Sequence, residues 1–202
     1  MRDDRNKWPP VRNGEREPLI GCGVQARRIQ VQRQTVLSGA LDNCLQLINA
    51  TSAVAGGEDQ AVGNTYALRQ RRDRVLAVNG PALKDGWHAT HGVAVSDMSS
   101  AYALIELSGE NAVHVIATGT EFVPDQLSAS VSRLWHGFGN VLYRHGPDDA
   151  YRMHVRSAQF EAVWEMLGRQ MTALRGVIPE HAATDQLALA GDDAILPYNK
   201  AI

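Results

Sequence analysis

Cysteine is scarce in this sequence: Cys22 and Cys44 are the only two among 202 residues. They form no Cys-x-x-Cys pair, and no spacing of cysteine and histidine suits a zinc ion. Nothing in this pattern supports a disulfide, and two reduced thiols in a cytoplasmic protein are its simplest interpretation. The sequence therefore predicts neither a disulfide framework nor a zinc finger.

An excess of positive charge is also missing, since 20 basic residues stand against 22 acidic ones and the net charge is −2. Such a chain does not attract a polyanion over its whole surface, so nucleic acid is not the expected main partner. Lysine is scarce, and 17 of the 20 basic residues are arginine. Codon usage is the first explanation, and protein contacts are the second, since arginine suits planar ion pairs at interfaces.

Long apolar runs are missing as well. Residues Met1 to Pro10 are charged and no apolar core follows them, so we predict no signal peptide. No apolar run approaches the length of a membrane span. The sequence has neither a Gly-x-Gly-x-x-Gly fingerprint nor a visible nucleophile elbow. Hydrophobic residues still make up 44% of the chain, enough for one substantial domain or two small ones.

The most informative stretch runs from Asp97 to Gly119. An apolar run of strand length, 101–107, stops at Ser108-Gly109. Apolar residues then fall at i, i+1, i+3 and i+4 from position 112, which is one face of a helix. We predict a strand, a tight corner and a helix, with the serine capping the helix.

The same pattern occurs about 70 residues earlier, where a strand-like run ends at Leu37-Ser38-Gly39 and a second helical stripe follows. Chance is one explanation, because Ser-Gly is common. A half-domain used twice is the explanation we favour. The order of predicted elements then indicates an α+β fold made of two duplicated split βαβ (ferredoxin-like) halves.

The predicted domain spans 27–176, with halves at about 27–95 and 96–176, between an N-terminal tail, 1–26, and a C-terminal tail, 177–202. The tails contain apolar residues and helix-breaking prolines, which favours contact with a partner. A helix capped by Ser157 closes the domain with an apolar stripe over about four turns. The predicted strands are 27–37, 65–70, 74–78, 101–107, 129–135, 140–144 and 150–156.

Few side chains suggest chemistry. His88 and His91 could ligate a metal on a helix, but no third ligand is evident and nearby glycines argue against a helix. His136 is expected to be a structural residue at a strand end. Asp97 is expected to form a local cap with Ser99. In strand 150–156, alternation predicts that Arg152, His154 and Arg156 share one face, opposite Tyr151, Met153 and Val155.

Four arginines, Arg69, Arg71, Arg72 and Arg74, surround the predicted turn between two strands. A solvated basic turn is the simpler interpretation. The alternative is a docking patch for an acidic neighbour, and the sequence leaves both interpretations open.

The central residues resemble a known family. Asp97-Met98-Ser99, followed by a strand ending in Leu107-Ser108-Gly109, is similar to the folate-binding domain family, which includes the aminomethyltransferase of the glycine cleavage system. In that family the motif reads Asp-Val-Ser-His, then an apolar strand and Ser-Gly-Pro. Here Ser100 replaces the histidine and Glu110 replaces the proline.

The sequence resembles the gamma subunits of heterotetrameric sarcosine oxidase more closely, over most of Arg27 to Leu174. The resemblance includes the Asp-x-Ser strand, Ala117 to Thr120, and Val141 to Arg144. It also includes the Ser157 helix with its Phe160 and Trp164. The order and spacing of these motifs carry the resemblance, since no single motif is decisive.

One departure concerns the hairpin at Trp135 to Leu142. In the glycine cleavage enzyme the equivalent hairpin carries an aspartate that sits on the folate, whereas no carboxylate occurs here from Gln126 to Gly146. A carboxylate is the simplest group to hold the pterin amine and to assist proton movement. We therefore assign no catalytic, cofactor-binding or metal-binding residue to this chain.

The resemblance implies a non-catalytic gamma subunit of a flavin-dependent complex that oxidatively demethylates sarcosine or a related N-methyl amino acid. It implies alpha, beta and delta subunits as partners, and places FAD, FMN, NAD, tetrahydrofolate and zinc on those subunits. The first alternative is a stand-alone folate-dependent methyl or aminomethyl transferase. The second is a maturation or repair factor without stable large partners.

Overall fold

The computed structural model describes residues 16–56, 59–120, 128–146 and 150–175. These residues form three α-helices: α1 (Leu41–Leu47), α2 (Ala112–Ala117) and α3 (Phe160–Leu174). The strands are β1 (Leu19–Gly21), β2 (Val24–Ile29), β3 (Gln34–Ser38), β4 (Gln60–Ala61), β5 (Tyr66–Arg71), β6 (Arg74–Val78), β7 (Gly86–His88), β8 (Val93–Asp97), β9 (Tyr102–Ser108), β10 (Ser132–Trp135), β11 (Phe138–His145) and β12 (Ala150–Arg156).

The strands form two antiparallel sheets. The large sheet has the order β1-β2-β9-β12-β11-β10, with the short β4 added in parallel to the end of β11. The small sheet has the order β5-β6-β3-β8-β7. The predicted α+β class is confirmed in this general form. The hairpin β5–β6 and the strands β9 and β12 also lie where the alternation of apolar residues predicts them.

The sheets exchange strands along the chain. Strand β2 pairs with β9, although it precedes β3, and β8 pairs with β3, although it precedes β9. The predicted boundary at residue 95 therefore does not separate the two sheets. The large sheet also begins at Leu19, inside the predicted N-terminal tail. Residues 1–15 and the whole predicted C-terminal tail, 177–202, lie outside the described residues.

The single strand predicted at 27–37 is wrong, because this segment is two strands in different sheets. The chain leaves the large sheet after Ile29 and enters the small sheet at Gln34. Between them, Asn79 Oδ1 accepts hydrogen bonds from the backbone N–H groups of Gln32 (2.8 Å) and Arg33 (3.2 Å). A side chain distant in the sequence thus satisfies the donors that the break exposes.

Three apolar clusters show how the layers stack. Helices α2 and α3 cover one face of the large sheet, where Trp135, Met153 and Trp164 are buried. Helix α1 covers one face of the small sheet around Leu37 and Cys44. The third cluster contains Leu76 of the small sheet together with residues of the large sheet. The molecule is therefore layered as helices, sheet, sheet, helix.

The strand, corner and helix predicted at 101–119 are present, but the serine caps are wrong. The N-cap residues of α1 and α2 are Ala40 and Asn111 rather than Ser38 and Ser108. The glycine is the essential residue of the second corner. Gly109 has a φ of 112°, and a Cβ there would lie 2.1 Å from the carbonyl oxygen of Gly23. Only glycine allows this close approach of two backbones.

The closing helix is confirmed, and its buried residues include Phe160, Val163, Trp164 and Leu167. Its N-cap is Gln159 rather than Ser157, two residues later than predicted, because a 3₁₀ turn occupies residues 157–159. Ser157 does not cap it. Its hydroxyl donates to the carbonyl of Ser100 (2.8 Å) and so ties the start of the turn to the loop before β9.

Candidate functional site

The space between the two sheets holds a connected set of polar side chains, which we call the inter-sheet network. Its members are Gln34 on β3, Tyr66 on β5, Glu106 on β9, Tyr143 on β11, and Arg152 and His154 on β12. Gln34, Glu106, Tyr143 and His154 are each at most 4% exposed. Polar groups buried this deeply require hydrogen-bond partners, and each of these has one.

The predicted division of β12 into two faces is confirmed, because Tyr151, Met153 and Val155 pack in the cluster under α2 and α3 and His154 lies on the other face. Strand β12 is central in the large sheet, between β9 and β11, and the small sheet covers the face that carries His154. Alternation within one strand shows that two faces differ, but it does not show that a second sheet packs on the more polar face. His154 is fully buried as a result.

The proton positions in the network follow from the backbone groups at one end. Gln34 Nε2 donates to the carbonyl of Tyr102 at 2.9 Å, so its Oε1 faces His154. An amide oxygen only accepts, and it lies 2.6 Å from His154 Nδ1. Nδ1 therefore carries the proton, and Nε2 of the neutral ring is an acceptor.

The remaining bonds take their direction from that tautomer. The Tyr143 hydroxyl lies 2.8 Å from His154 Nε2 and donates to it. The same hydroxyl oxygen must then accept from the Tyr66 hydroxyl at 2.7 Å. Tyr66 in turn accepts from Arg152 at 3.1 Å. All of these hydrogen bonds therefore run in one direction, from Arg152 on the large sheet to Gln34 on the small sheet.

Burial dominates the pKa values of the two fully buried groups, His154 and Tyr143. It lowers the pKa of His154 to about 3, with a smaller contribution from the positive charge of Arg152. It raises the pKa of Tyr143 well above its usual range. Both groups are consequently neutral at pH 7, as the directed hydrogen bonds require.

Glu106 forms the charged end of the network. Its Oε2 accepts from Arg152 Nε at 2.8 Å, and its Oε1 accepts from Arg27 Nε (2.8 Å) and Nη2 (2.5 Å). Burial alone would raise the pKa of Glu106, but the hydrogen bonds from Arg152 and Arg27 outweigh it and the pKa is lowered. The Arg152 side chain is 11% exposed and that of Arg27 is 53% exposed, so Arg152 is the more strongly coupled partner.

This arrangement suits structural support better than proton transfer. A general base works best with a pKa near the operating pH. The pKa of Glu106 is shifted away from neutrality and both of its oxygens are engaged, while His154 uses both ring nitrogens. The network therefore fixes how the two sheets face one another.

We expect Tyr143→Phe to destabilise the protein by about 1–3 kcal/mol, because it leaves the buried Nε2 of His154 without a donor. The free energy of unfolding in urea measures this loss. Tyr102→Phe is the matched control, since it removes a tyrosine hydroxyl for which the described residues offer no partner. Equal stability of the two variants would contradict the assigned direction of the hydrogen bonds.

The residues singled out in the sequence lie elsewhere. Asp97 Oδ1 accepts from the Ser99 backbone N–H (2.9 Å) and hydroxyl (2.5 Å), which confirms the predicted local cap. Those bonds lower the pKa of Asp97. His136 lies in the turn between β10 and β11 at a φ of 47°, with Nε2 3.2 Å from the Thr118 hydroxyl, which agrees with a structural role.

The histidine pair does not lie on a helix. His88 lies on β7, and its Nε2 is 2.8 Å from the carbonyl of Lys84. His91 follows in the turn before β8. Within the described ranges, no group of three or more histidine, cysteine, aspartate or glutamate residues is placed to hold a metal ion.

The hairpin β10–β11 is built around Trp135, whose indole N–H donates to the carbonyl of Ile116 at 3.1 Å. Of the acidic residues that the structure describes, Glu106 alone is buried, and it belongs to the inter-sheet network. The residues at the hairpin therefore do not supply the carboxylate that would hold a pterin amine. Sequence reasoning missed Glu106 as a network residue, although a charged residue inside the apolar run 103–107 was a usable signal.

Comparison with known proteins shows the fold. No family model matches the chain, and no curated protein matches it. Among solved structures, it is similar to a chain of heterotetrameric sarcosine oxidase from Corynebacterium sp. U-96, determined in complex with pyrrole 2-carboxylate. The two share 16% sequence identity with a TM-score of 0.58, over 74% of this chain and 84% of that chain. The chain thus has the fold of a sarcosine oxidase chain.

None of the helices in the described ranges is long and apolar enough to cross a membrane.

Proposed function

We propose that this chain is a non-catalytic, gamma-type subunit of a heterotetrameric complex that oxidatively demethylates sarcosine or a related N-methyl amino acid. The structural similarity carries the proposal. Because it covers 74% of one chain and 84% of the other, the two chains are of similar length. The similarity is therefore with a small chain of that heterotetramer.

The inter-sheet network supports the non-catalytic part of the proposal. Its buried carboxylate is held by two arginines and its buried histidine is neutral, so they brace the two sheets. In this proposal alpha, beta and delta subunits are the partners, and they hold FAD, FMN, NAD, tetrahydrofolate and zinc. A cytoplasmic location also remains a prediction.

The proposal includes a duplicated fold. Strands β3 and β9 each end in Leu-Ser, and a glycine and then a helix follow each of them. Strand β3 pairs with β6, the second strand of the hairpin β5–β6. Strand β9 pairs in the same way with β12, the second strand of the hairpin β11–β12. Each also pairs with the strand that precedes the other, β8 or β2. We interpret these matching orders as two related halves that exchange one strand.

The alternative of a stand-alone folate-dependent transferase gains no support from the hairpin β10–β11, which offers no carboxylate. It remains testable by titrating the isolated chain with tetrahydrofolate. The subunit proposal is tested by isolating the tagged chain from its source cells and screening the captured material for oxidation of N-methyl amino acids. Turnover in that material supports the proposal, whereas tetrahydrofolate binding by a chain without partners would support the alternative.

We expect that deleting residues 177–202 weakens assembly without unfolding the domain, because this segment is too apolar for a purely solvated tail and lies beyond the closing helix. Co-purification of the large subunits measures assembly, and the far-UV circular dichroism spectrum measures folding. Unchanged co-purification by the truncated chain would show that the segment has no part in assembly.

A further inference from the structure

A positively charged groove lies where the turn β5–β6 of the small sheet approaches β10 and β11 of the large sheet. Its volume is 450 Å³. Arg71 and Arg74 line it from the small sheet, and Arg133 and Arg156 line it from the large sheet. None of the described residues that line it is acidic. The structure thus brings together four arginines that are distant in the sequence, in a chain whose net charge is −2.

The charges of these arginines are not neutralised within the described part of the chain. Neither Arg74 nor Arg156 has an acidic partner there. Arg71 is 3.9 Å from Asp73, and both side chains are more than half exposed, so this pair is weak. Arg133 donates to the carbonyls of Ser130 and Ser132, which fixes its guanidinium but leaves its charge.

Two polar atoms of groove-lining residues are shielded from solvent and have no hydrogen-bond partner among the residues that the structure describes. They are the Arg74 Nε donor and the Asn140 Oδ1 acceptor. Asn140 as a whole is 6% exposed. An unsatisfied buried polar atom destabilises the free protein, so an incoming group that satisfies it gains affinity.

These features select one class of occupant. Arginine side chains favour carboxylates, and an arginine Nε needs an acceptor. An amide oxygen such as Asn140 Oδ1 needs a donor, which a peptide N–H provides and an ionised carboxylate by itself does not. The side chain of Leu134, 64% exposed, adds an apolar contact at the groove. Acidic peptide is the chemistry that fits all of these residues.

We infer that this groove binds an acidic segment of a partner subunit, an inference that rests on the proposed role of the chain in a complex. It also refines the basic patch at the turn β5–β6. Arg71 and Arg74 line the groove, whereas Arg69 and Arg72 do not. The docking interpretation therefore applies to Arg71 and Arg74, and the solvated-turn interpretation to the exposed Arg72.

The test uses Arg71→Gln/Arg156→Gln, which removes two exposed charges of the groove. Lys84→Gln/Arg169→Gln is the matched control, because it removes two exposed charges that do not line the groove. Fluorescence anisotropy measures binding of a labelled eight-residue peptide rich in glutamate to the full chain. We expect about tenfold weaker binding for the groove variant, a loss with rising salt, and no change for the control.

Co-purification from the source cells tests whether the groove contributes to binding of the large subunits. We expect the groove variant to recover less of the large subunits than the wild type, and the control to recover the same amount. If the wild type assembles and the groove variant assembles equally well, the groove inference fails while the proposed function stands. If the wild-type chain has no partners, both fail. Competition by inorganic phosphate at the same concentration as the peptide would overturn the assignment to a peptide.

Discussion

Glu106→Gln is expected to destabilise the protein by about 3–5 kcal/mol, because it leaves the positive charge of Arg152 buried without a counter-charge. The Glu106 side chain is 5% exposed and that of Arg152 is 11% exposed, so water does not replace the lost carboxylate there. Arg27 is half exposed and contributes less. The loss approaches the whole stability of a small domain. Urea unfolding at pH 7 measures it.

Two further variants separate the ion pair from general effects of substitution. Glu165→Gln removes a carboxylate that is 70% exposed on α3, and we expect its stability to stay within about 0.5 kcal/mol of the wild type. Glu106→Leu/Arg152→Leu removes both buried charges and should be more stable than Glu106→Gln, since no unpaired charge remains inside. A double variant less stable than the single one would contradict this account.

The same carboxylate predicts an acid-sensitive step. The pKa of Glu106 is lower in the folded protein than its ordinary value of 4.5, so the folded state binds fewer protons than the unfolded chain below that pH. The contribution of Glu106 is therefore complete above pH 4.5 and is lost as the pH falls through the folded-state pKa.

His154 is expected to make the protein less stable at mildly acidic pH, beginning near pH 6.5. Its pKa is about 3 in the folded protein and about 6.5 in an unfolded chain. Between these values the unfolded state binds the additional proton, so stability falls as the pH falls. One pH unit corresponds to about 1.4 kcal/mol, and the loss between pH 7 and pH 5 is therefore roughly 2 kcal/mol.

The free energy of unfolding in urea, measured at pH 7 and pH 5, tests this prediction. His154→Gln should reduce the difference between the two pH values, even if its stability at pH 7 is lower. His114→Gln is the control, because His114 is exposed on α2. Burial also lowers the pKa of His145, which acts in the same direction, so His145→Gln should remove a separate part of the difference. An unchanged difference in His154→Gln would contradict the neutral, buried histidine.

The local parts of the fold could be predicted from the sequence, and the packing of one sheet on the other could not. The strand β9, its Gly109 corner and the helix α3 follow from periodicity within a short segment. The break between β2 and β3 depends on Asn79, which is more than 40 residues away. The burial of His154 could not be predicted for the same reason, since its cover comes from a sheet that the alternation of β12 does not reveal.

The candidate site was less predictable still. The inter-sheet network links residues up to 120 positions apart, from Gln34 to His154. The basic groove was visible only in part, because two of its four arginines come from β10 and from the end of β12. The predicted cap of Asp97 was confirmed because its contacts with Ser99 are local, and His136 lies at the predicted strand end.

The central claim is that this chain is a small subunit of a flavin-dependent oxidising complex. Native mass and visible absorbance of the tagged chain, purified from its own source cells, test it most directly. The account predicts an assembly several times heavier than the 22.0 kDa chain, with flavin absorption bands. A colourless monomer would contradict it.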